Sequence, residues 1–593
     1  MKKAYVDFET FFSDDISVVT QGNDNYIAAA DAYIVAAAVE GEEIHCGTLK
    51  EMGPRLEQMA NNPTLEPWAA NSNFDQGWSE KYGWTFRNPW QCALDLAAFH
   101  QMSRNLAGFA KQTTGAEMDK GIRDRMRGVH YETLPADEQL KMQEYCAGDI
   151  VEMAAAIDAV APMTPIEKRI AEYTRRANRR GVLIDVDRVK KDRDVIEEAQ
   201  HEAFKAVPWN QDAALGSPGA LKDWCIANNI PAPTSRAKTN DYCNQLLKQH
   251  PALAEVMGNL RLHNKANTMF KKIDSLLERV RPDGILPMDL MYCGAPHTRR
   301  WSSRGFNIQN LEKVATDFKG RQVYPRNWII PRPGKIFLIL DFAQIEPRCL
   351  NWLAGNYSML EAMRSGFSYY EAYAKMARGW SGTPGTIKKE LGSKGYTLLK
   401  NECLGCGYGM GWTRFVSYAA ERGVVVTDDE AKAVINAFRS NNKPIVKLWR
   451  QMDAVIRQAA VNKSRSFELE MPTGDFLKYF GVRSNKGGYK GFVIKGDFGK
   501  QSIQERLWGG TLTENICQRM SRDLMAEGIL RCEDAGMPVP FTVHDELILE
   551  VDKDNKEEAK TEAIRLLTMA PEWASELPLA VDGGFAECYT KLD

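Results

Sequence analysis

The stretch Ile336–Phe337–Leu338–Ile339–Leu340–Asp341–Phe342–Ala343–Gln344–Ile345–Glu346–Pro347–Arg348 decides how the rest of the chain is read. Its first five residues are apolar, two of them isoleucine, a run too short for a helix and suited to a buried strand. The run ends on a carboxylate, Asp341. A charge at the exit of a buried strand is costly unless something pairs it, and a hard divalent cation is an obvious partner. Taken alone, the pattern equally describes an α/β core strand with an Asp at its exit. A second segment far downstream, Phe541–Thr542–Val543–His544–Asp545–Glu546–Leu547–Ile548–Leu549–Glu550–Val551, shifts the balance. Apolar residues flank His544–Asp545–Glu546 on both sides, which predicts a tight β-turn-β unit with the acids at its tip. Asp341 and Asp545 together suit two Mg²⁺ ions roughly 3.5–4 Å apart, the arrangement used for in-line phosphoryl transfer.

Between these segments lies Tyr396–Thr397–Leu398–Leu399–Lys400–Asn401–Glu402–Cys403–Leu404–Gly405–Cys406–Gly407–Tyr408–Gly409. Tyr396, Lys400, Leu404 and Tyr408 recur every fourth residue, a single stripe along a predicted helix. A plain amphipathic core helix has the same spacing, but Lys400 within the stripe and the glycines after it fit that poorly.

With 593 residues the chain must divide into several domains, because single cores stop growing near ~250–300 residues. A hydrophobic content of 44% and a charged content of 26% are those of an ordinary globular protein. The formal net charge of −2 gives no global positive field, although a basic cleft is compatible with an acidic outer face. Twelve scattered cysteines point to a reducing compartment, and Cys403–Leu404–Gly405–Cys406 lacks further zinc ligands nearby. No 18-residue apolar run is present, and acids at Asp7 and Glu9 replace a signal-peptide core. The expectation is a cytoplasmic protein with no membrane partner.

Near the start, Ala4–Tyr5–Val6–Asp7–Phe8–Glu9–Thr10 predicts a strand with both carboxylates on one face. Asn71–Ser72–Asn73–Phe74–Asp75 follows, and later Tyr145–Cys146–Ala147–Gly148–Asp149 with Tyr145 and Asp149 on one helix face. Each piece alone is common: a strand edge, a turn, a helix. Four acids, Asp7, Glu9, Asp75 and Asp149, suffice for two metals, and Tyr145 has a hydroxyl that orients a water.

The three central segments resemble motifs A, B and C of family A DNA polymerases, particularly phage-type members, and the resemblance extends over nearly the whole chain. The N-terminal set resembles the three motifs of the DEDDy 3′–5′ proofreading exonuclease. The implied fold is α/β and multidomain: an RNase H-like 3′–5′ exonuclease domain followed by a right-hand polymerase of palm, fingers and thumb. The expected division is exonuclease 1–160, connector 161–190, thumb 191–290, palm 291–355, fingers 356–435, and palm with C-terminus 436–593, with no 5′-nuclease domain ahead of Asp7. Pro162–Met163–Thr164–Pro165 marks the end of the first domain.

The resemblance also implies roles. Asp341, the carbonyl of Phe342 and Asp545 hold two Mg²⁺ per active site, with Mn²⁺ as a substitute, and Glu546 joins the catalytic acids. Asp7, Glu9, Asp75 and Asp149 hold the metals of the exonuclease. Lys400 binds the triphosphate and acts on the leaving pyrophosphate. Glu346, Gln344, Leu404, Tyr408 and Tyr370 complete the dNTP site, with Glu346 excluding a 2′-hydroxyl. Thr298, Arg300, Asn310, Arg348, Gln518 and His544 meet primer-template DNA, Arg300 and Gln518 through the minor groove, whose shared acceptors report pairing geometry without sequence. Arg261, Lys265, Lys271 and Lys272 suit either duplex DNA or a solvated face. The implied protein is a monomer acting on phage DNA in the host cytoplasm, with a replisome helicase or primase as candidate partners. Three positions depart from the family pattern: Arg299 stands in place of Gly, Tyr396 in place of a γ-phosphate-clamping Arg, and Asp475 in place of Arg. The last two leave room for a narrower alternative, a preference for a modified base such as 2-aminoadenine.

Overall fold

The computed structural model describes residues 1–119, 121–237, 240–485, 487–495 and 504–592. The N-terminal unit is built on a five-stranded sheet in the order His45–Thr48, Ala32–Val39, Lys2–Thr10, Leu65–Ala69, Gln91–Cys92. Lys2–Thr10 runs antiparallel to Ala32–Val39 and parallel to Leu65–Ala69. Because side chains alternate along a strand, the sheet buries both faces. Val6 and Phe8 pack with Leu56 and Trp78, whereas Tyr5 and Ile34 pack with Met142 and Ile150 of the helix Ala136–Asp158. Asp7 and Glu9 share the parity of Tyr5, so they face that helix, and it carries Tyr145 and Asp149.

The helix Pro165–Arg180 leads out of this unit, with Thr164 capping it and Pro165 in its first turn. The strand after it, Val182–Ile184, lies between Ile285–Leu286 and Ile329–Ile330, so pairing stitches the stretch expected as connector to those expected as thumb and palm. Helices Val186–Lys205 and Pro251–Arg279 pack together, and their far end carries a separate small core that includes Trp209, Leu246 and Leu253.

The central sheet is antiparallel, in the order Phe541–Val543, Glu546–Asp552, Lys335–Phe342, Val581–Ala586. Lys335–Phe342 is an interior strand, and Phe337, Leu338, Ile339 and Leu340 are all buried, hence their unbroken apolar run. A further four-stranded sheet, Phe467–Glu470, Phe476–Asn485, Gly488–Phe492 and Gln504–Leu507, falls inside the stretch expected as palm. It docks on the N-terminal unit through Gln101, whose amide donates to Lys478 O (3.0 Å) and Val493 O (2.8 Å) and accepts from Lys478 N (2.7 Å). Among the described residues no helix is long and apolar enough to cross a membrane.

Candidate active site

The register of the central sheet brings the two distant carboxylates together. Asp341 lies directly opposite Glu546, and Phe342 N donates to Asp545 O at 3.1 Å. The hairpin turns through His544 at φ +59, a left-handed conformation of the kind that tight hairpins use at their first central residue. On its other side Asp341 pairs with Asp582. Its carboxylate reaches water yet is hemmed in by protein. That burial, followed by the charges of Asp545 and Glu546, pushes it up to about 7, with Lys313 opposing. Acids crowded so closely that burial and their mutual repulsion outweigh Lys313 fit a divalent cation. His544 is lowered, first by burial and then by Lys313.

Glu546 has protein partners that the sequence did not show. Its Oε2 accepts from the Tyr589 hydroxyl at 2.8 Å and lies 3.5 Å from Arg326, which itself stacks on the Tyr589 ring. It is held by the protein's own cation, so we place it as a brace for the hairpin.

A cavity of about 480 Å³ is lined by Glu346, Tyr369, Leu404, Tyr408, Arg414 and Glu514. Glu346, at the start of the helix Ile345–Leu353, forms an ion pair with Arg300 across the cleft. Gln344, at φ +48, accepts from Tyr369 N (3.2 Å) and so ties this helix to the next, Tyr369–Arg378. Lys400 Nζ sits 5.6 Å from the ring centres of both Tyr370 and Tyr396, which meet edge to face. Tyr396 thus forms one wall of an aromatic seat for the lysine, while Lys388, Lys389 and Lys394 on the same helix are exposed. The expected stripe is shorter than its spacing suggested. The helix Ile387–Cys406 bends at Gly392 and ends before Tyr408, which stands in the following turn. Tyr408 is half-buried, with its hydroxyl enclosed beside the Cys517 thiol. Gly510 makes that turn's position possible, since a Cβ there would fall 2.1 Å from Tyr408 O.

Arg300 and Gln518 are half-buried near this cleft, Gln518 donating to Glu514 at 3.3 Å, and Asn310 is exposed at the end of a short turn. Two expected DNA contacts fall elsewhere. Arg348 is 5% exposed and donates to Ala343 O (2.7 Å) and Pro578 O (2.8 Å), so it braces the strand exit instead of facing a groove. Thr298 is buried in the turn that precedes Arg300. Lys272 is paired with Glu312 at 2.6 Å, and Lys265 lies over the Phe318 ring.

In the N-terminal unit, one oxygen each from Asp7, Glu9 and Asp149 lies within 4.8 Å of the others. Asp75, on the helix Ser72–Lys81, accepts from Phe8 N at 3.2 Å and is pushed up to about 7, chiefly by burial. Burial also raises Asp7 well above the carboxylate range, with Asp149, Asp75 and Glu9 adding to it. These acids likewise fit a cation-binding role. Tyr145 is half-buried, its hydroxyl raised by burial and then by Asp149. Sequence reasoning passed over two neighbours. Cys146 Sγ lies 3.6 Å from Asp7 Oδ2, and Arg123 feels Glu9, Tyr145 and Asp7, which raise its pKa against the effect of burial. Cys146 was legible as the residue between Tyr145 and Asp149, whereas nothing in the sequence flagged Arg123.

Comparison with known proteins agrees with this geometry. Residues 188–466 match the family model for DNA polymerase family A. A DNA polymerase of Bacillus phage SP02 is 26% identical across the full length of both chains. DNA polymerase I of Mycobacterium bovis is 22% identical over 73% of this chain, a span that covers 45% of that protein. Among solved structures, the polymerase domain of Pol1 from M. smegmatis, in complex with DNA primer-template and dNTP, superposes with a TM-score of 0.65. It is 17% identical and the alignment covers 99% of this chain and 95% of that one, a likeness of fold. The family model, the full-length phage relative and the fold thus agree in likening this chain to DNA polymerases of family A.

Proposed function

We propose that the chain extends a DNA primer on a template with dNTPs and removes mismatched 3′ nucleotides at a separate N-terminal site. The observation that carries the polymerase reading is the strand register setting Asp341 beside the Asp545 hairpin. Asp341 and Asp545 would hold the divalent cations, preferentially Mg²⁺. Such ions supply charge neutralisation for the attacking 3′-oxygen and the leaving pyrophosphate. The protein's own groups orient and stabilise. Lys400, fixed between Tyr370 and Tyr396, presents its ammonium to the triphosphate. Glu346 and Tyr408 both line the cavity, and there Glu346 would exclude a 2′-hydroxyl. Arg300 and Gln518 approach the primer terminus from the minor groove.

The exonuclease reading is supported by the Asp7–Glu9–Asp149 cluster with Asp75 and Tyr145 beside it. There the carboxylates would hold cations, and Tyr145 would orient the attacking water. Extension of a recessed primer with Mg²⁺, with and without dNTPs, tests both activities together. Wild-type protein should extend with dNTPs and shorten the primer without them, and Asp545→Ala should lose extension alone. Extension that survives in Asp545→Ala would remove the hairpin from the reaction.

A further inference from the structure

Two of the positions where the chain departs from its family pattern turn out to be partners. Arg299 Nη1 donates to Asp475 Oδ2 at 2.7 Å and Nη2 donates to Phe476 O at 3.0 Å. The Arg299 guanidinium also stacks on Phe99 of the N-terminal unit, 4.3 Å from its ring centre. Arg299 has φ +50, which accounts for glycine being the family residue there. A side chain at such a φ costs roughly 1–2 kcal/mol, and these three contacts offset it. The same Asp475 oxygen also accepts from Arg519 Nη2 at 3.1 Å. Arg519 continues to Asp523 (2.8 Å) and Glu167 (2.7 Å), and Arg522 bonds Glu167 (2.6 Å) and Asp523 (3.0 Å). Arginines 299, 519 and 522 therefore balance Asp475, Glu167 and Asp523, all of them buried.

Arg300 follows Arg299 directly, and Gln518 directly precedes Arg519. The two minor-groove side chains come from the strand Arg300–Ser303 and the helix Gly509–Asp534, far apart in sequence. Asp475 bonds the arginine next to each of them. We propose that Asp475 is a positioning residue for the primer terminus. By gripping Arg299 and Arg519 it fixes the separation of Arg300 and Gln518, and so the strictness with which the last base pair is tested. The inference rests on the polymerase reading above.

The test uses full-length protein carrying Asp7→Ala and Glu9→Ala, so that excision does not edit the primer. Three forms are compared: the parent, Asp475→Asn, and Asp475→Asn with Arg299→Met. Melting temperature and the ratio of extension rates from matched and mismatched primer ends are measured. Asp475→Asn should lower both, the ratio by about tenfold, the effect of one displaced contact. The double variant removes one charge of each sign, so Arg519 and Arg522 again balance Glu167 and Asp523. Its melting temperature should recover while its ratio stays low, because the bridge is still absent. A ratio that recovers with the melting temperature reduces Asp475 to a structural role and overturns the inference, as does an unchanged ratio in Asp475→Asn. A parent that extends no primer overturns the polymerase reading and this inference with it, whereas a parent that extends with an equal ratio in all three forms overturns this inference alone.

Discussion

Glu167→Gln is the sharpest probe of how the polymerase half is held. The Glu167 carboxylate, 2% exposed, accepts from Arg522 (2.6 Å), Arg519 (2.7 Å) and the Tyr292 hydroxyl (2.6 Å). Each guanidinium attracts it by about 4 kcal/mol at 4 Å and an effective dielectric of 20. Against this stands the cost of dehydrating the charge, several kcal/mol, which glutamine does not incur. Glutamine keeps one acceptor for three donors and leaves the cluster with an unbalanced buried arginine. Removing one partner from such a pair typically costs about 3–5 kcal/mol. We expect a loss near the lower bound, because Asp523 and Asp475 remain. Urea titration followed by hydrogen exchange in the helix Gly509–Asp534 measures it. Burial opposes ionisation of Glu167, but Arg522, Arg519 and Arg299 outweigh it and hold the carboxyl well below its usual range. A group depressed in this way stabilises the folded state above its unfolded pKa and loses that contribution as pH falls below it. The gap between wild type and variant should therefore be full at pH 7 and shrink in acid below about pH 4.5. A gap under about 1 kcal/mol, or one that does not change with pH, would refute the reasoning.

Other outcomes follow from the same structure. Glu346→Ala removes the Arg300 partner and clears the cavity wall, and should raise ribonucleotide incorporation; competition between rNTP and dNTP measures it, and an unchanged ratio removes Glu346 from sugar selection. Asp7→Ala with Glu9→Ala should abolish release of a mismatched 3′ nucleotide while leaving extension intact, as read on labelled primers. In the metal-free protein Asp75 and Asp341 sit at about 7, above their unfolded value, so the folded state binds more protons and stability should fall as pH climbs from about 4 to 7. Added Mg²⁺ should cancel that fall, giving about 2.7 kcal/mol at a hundredfold excess over its dissociation constant; melting curves with and without Mg²⁺ that keep the same pH slope would count against cation binding by these acids.

Much of the site could be read from local pattern. The run Ile336–Leu340 reads as a buried interior strand, and Lys335–Phe342 is one. Flanking apolar residues predicted a hairpin around His544–Asp545, and Phe541–Val543 pairs with Glu546–Asp552. Helical spacing put Tyr145 and Asp149 on one face of Ala136–Asp158. The local pattern was silent where a charged residue's partners come from distant chain. The sequence does not show that Arg348 donates to the carbonyl of Pro578, or that Arg326 and Tyr589 come from elsewhere to meet Glu546. Tyr408 kept its place at the cavity although the helix stopped short of it.

The sequence by itself determined the strands, the helices and the acids they carry, because backbone periodicity and the cost of an unpaired charge act over a few residues. Only tertiary structure decided which charges meet. Arg299 and Asp475 are two unrelated oddities along the chain and one buried ion pair in the fold. The strength of such a pair depends on distance and on the water excluded around it, and both are set by packing between segments far apart in sequence.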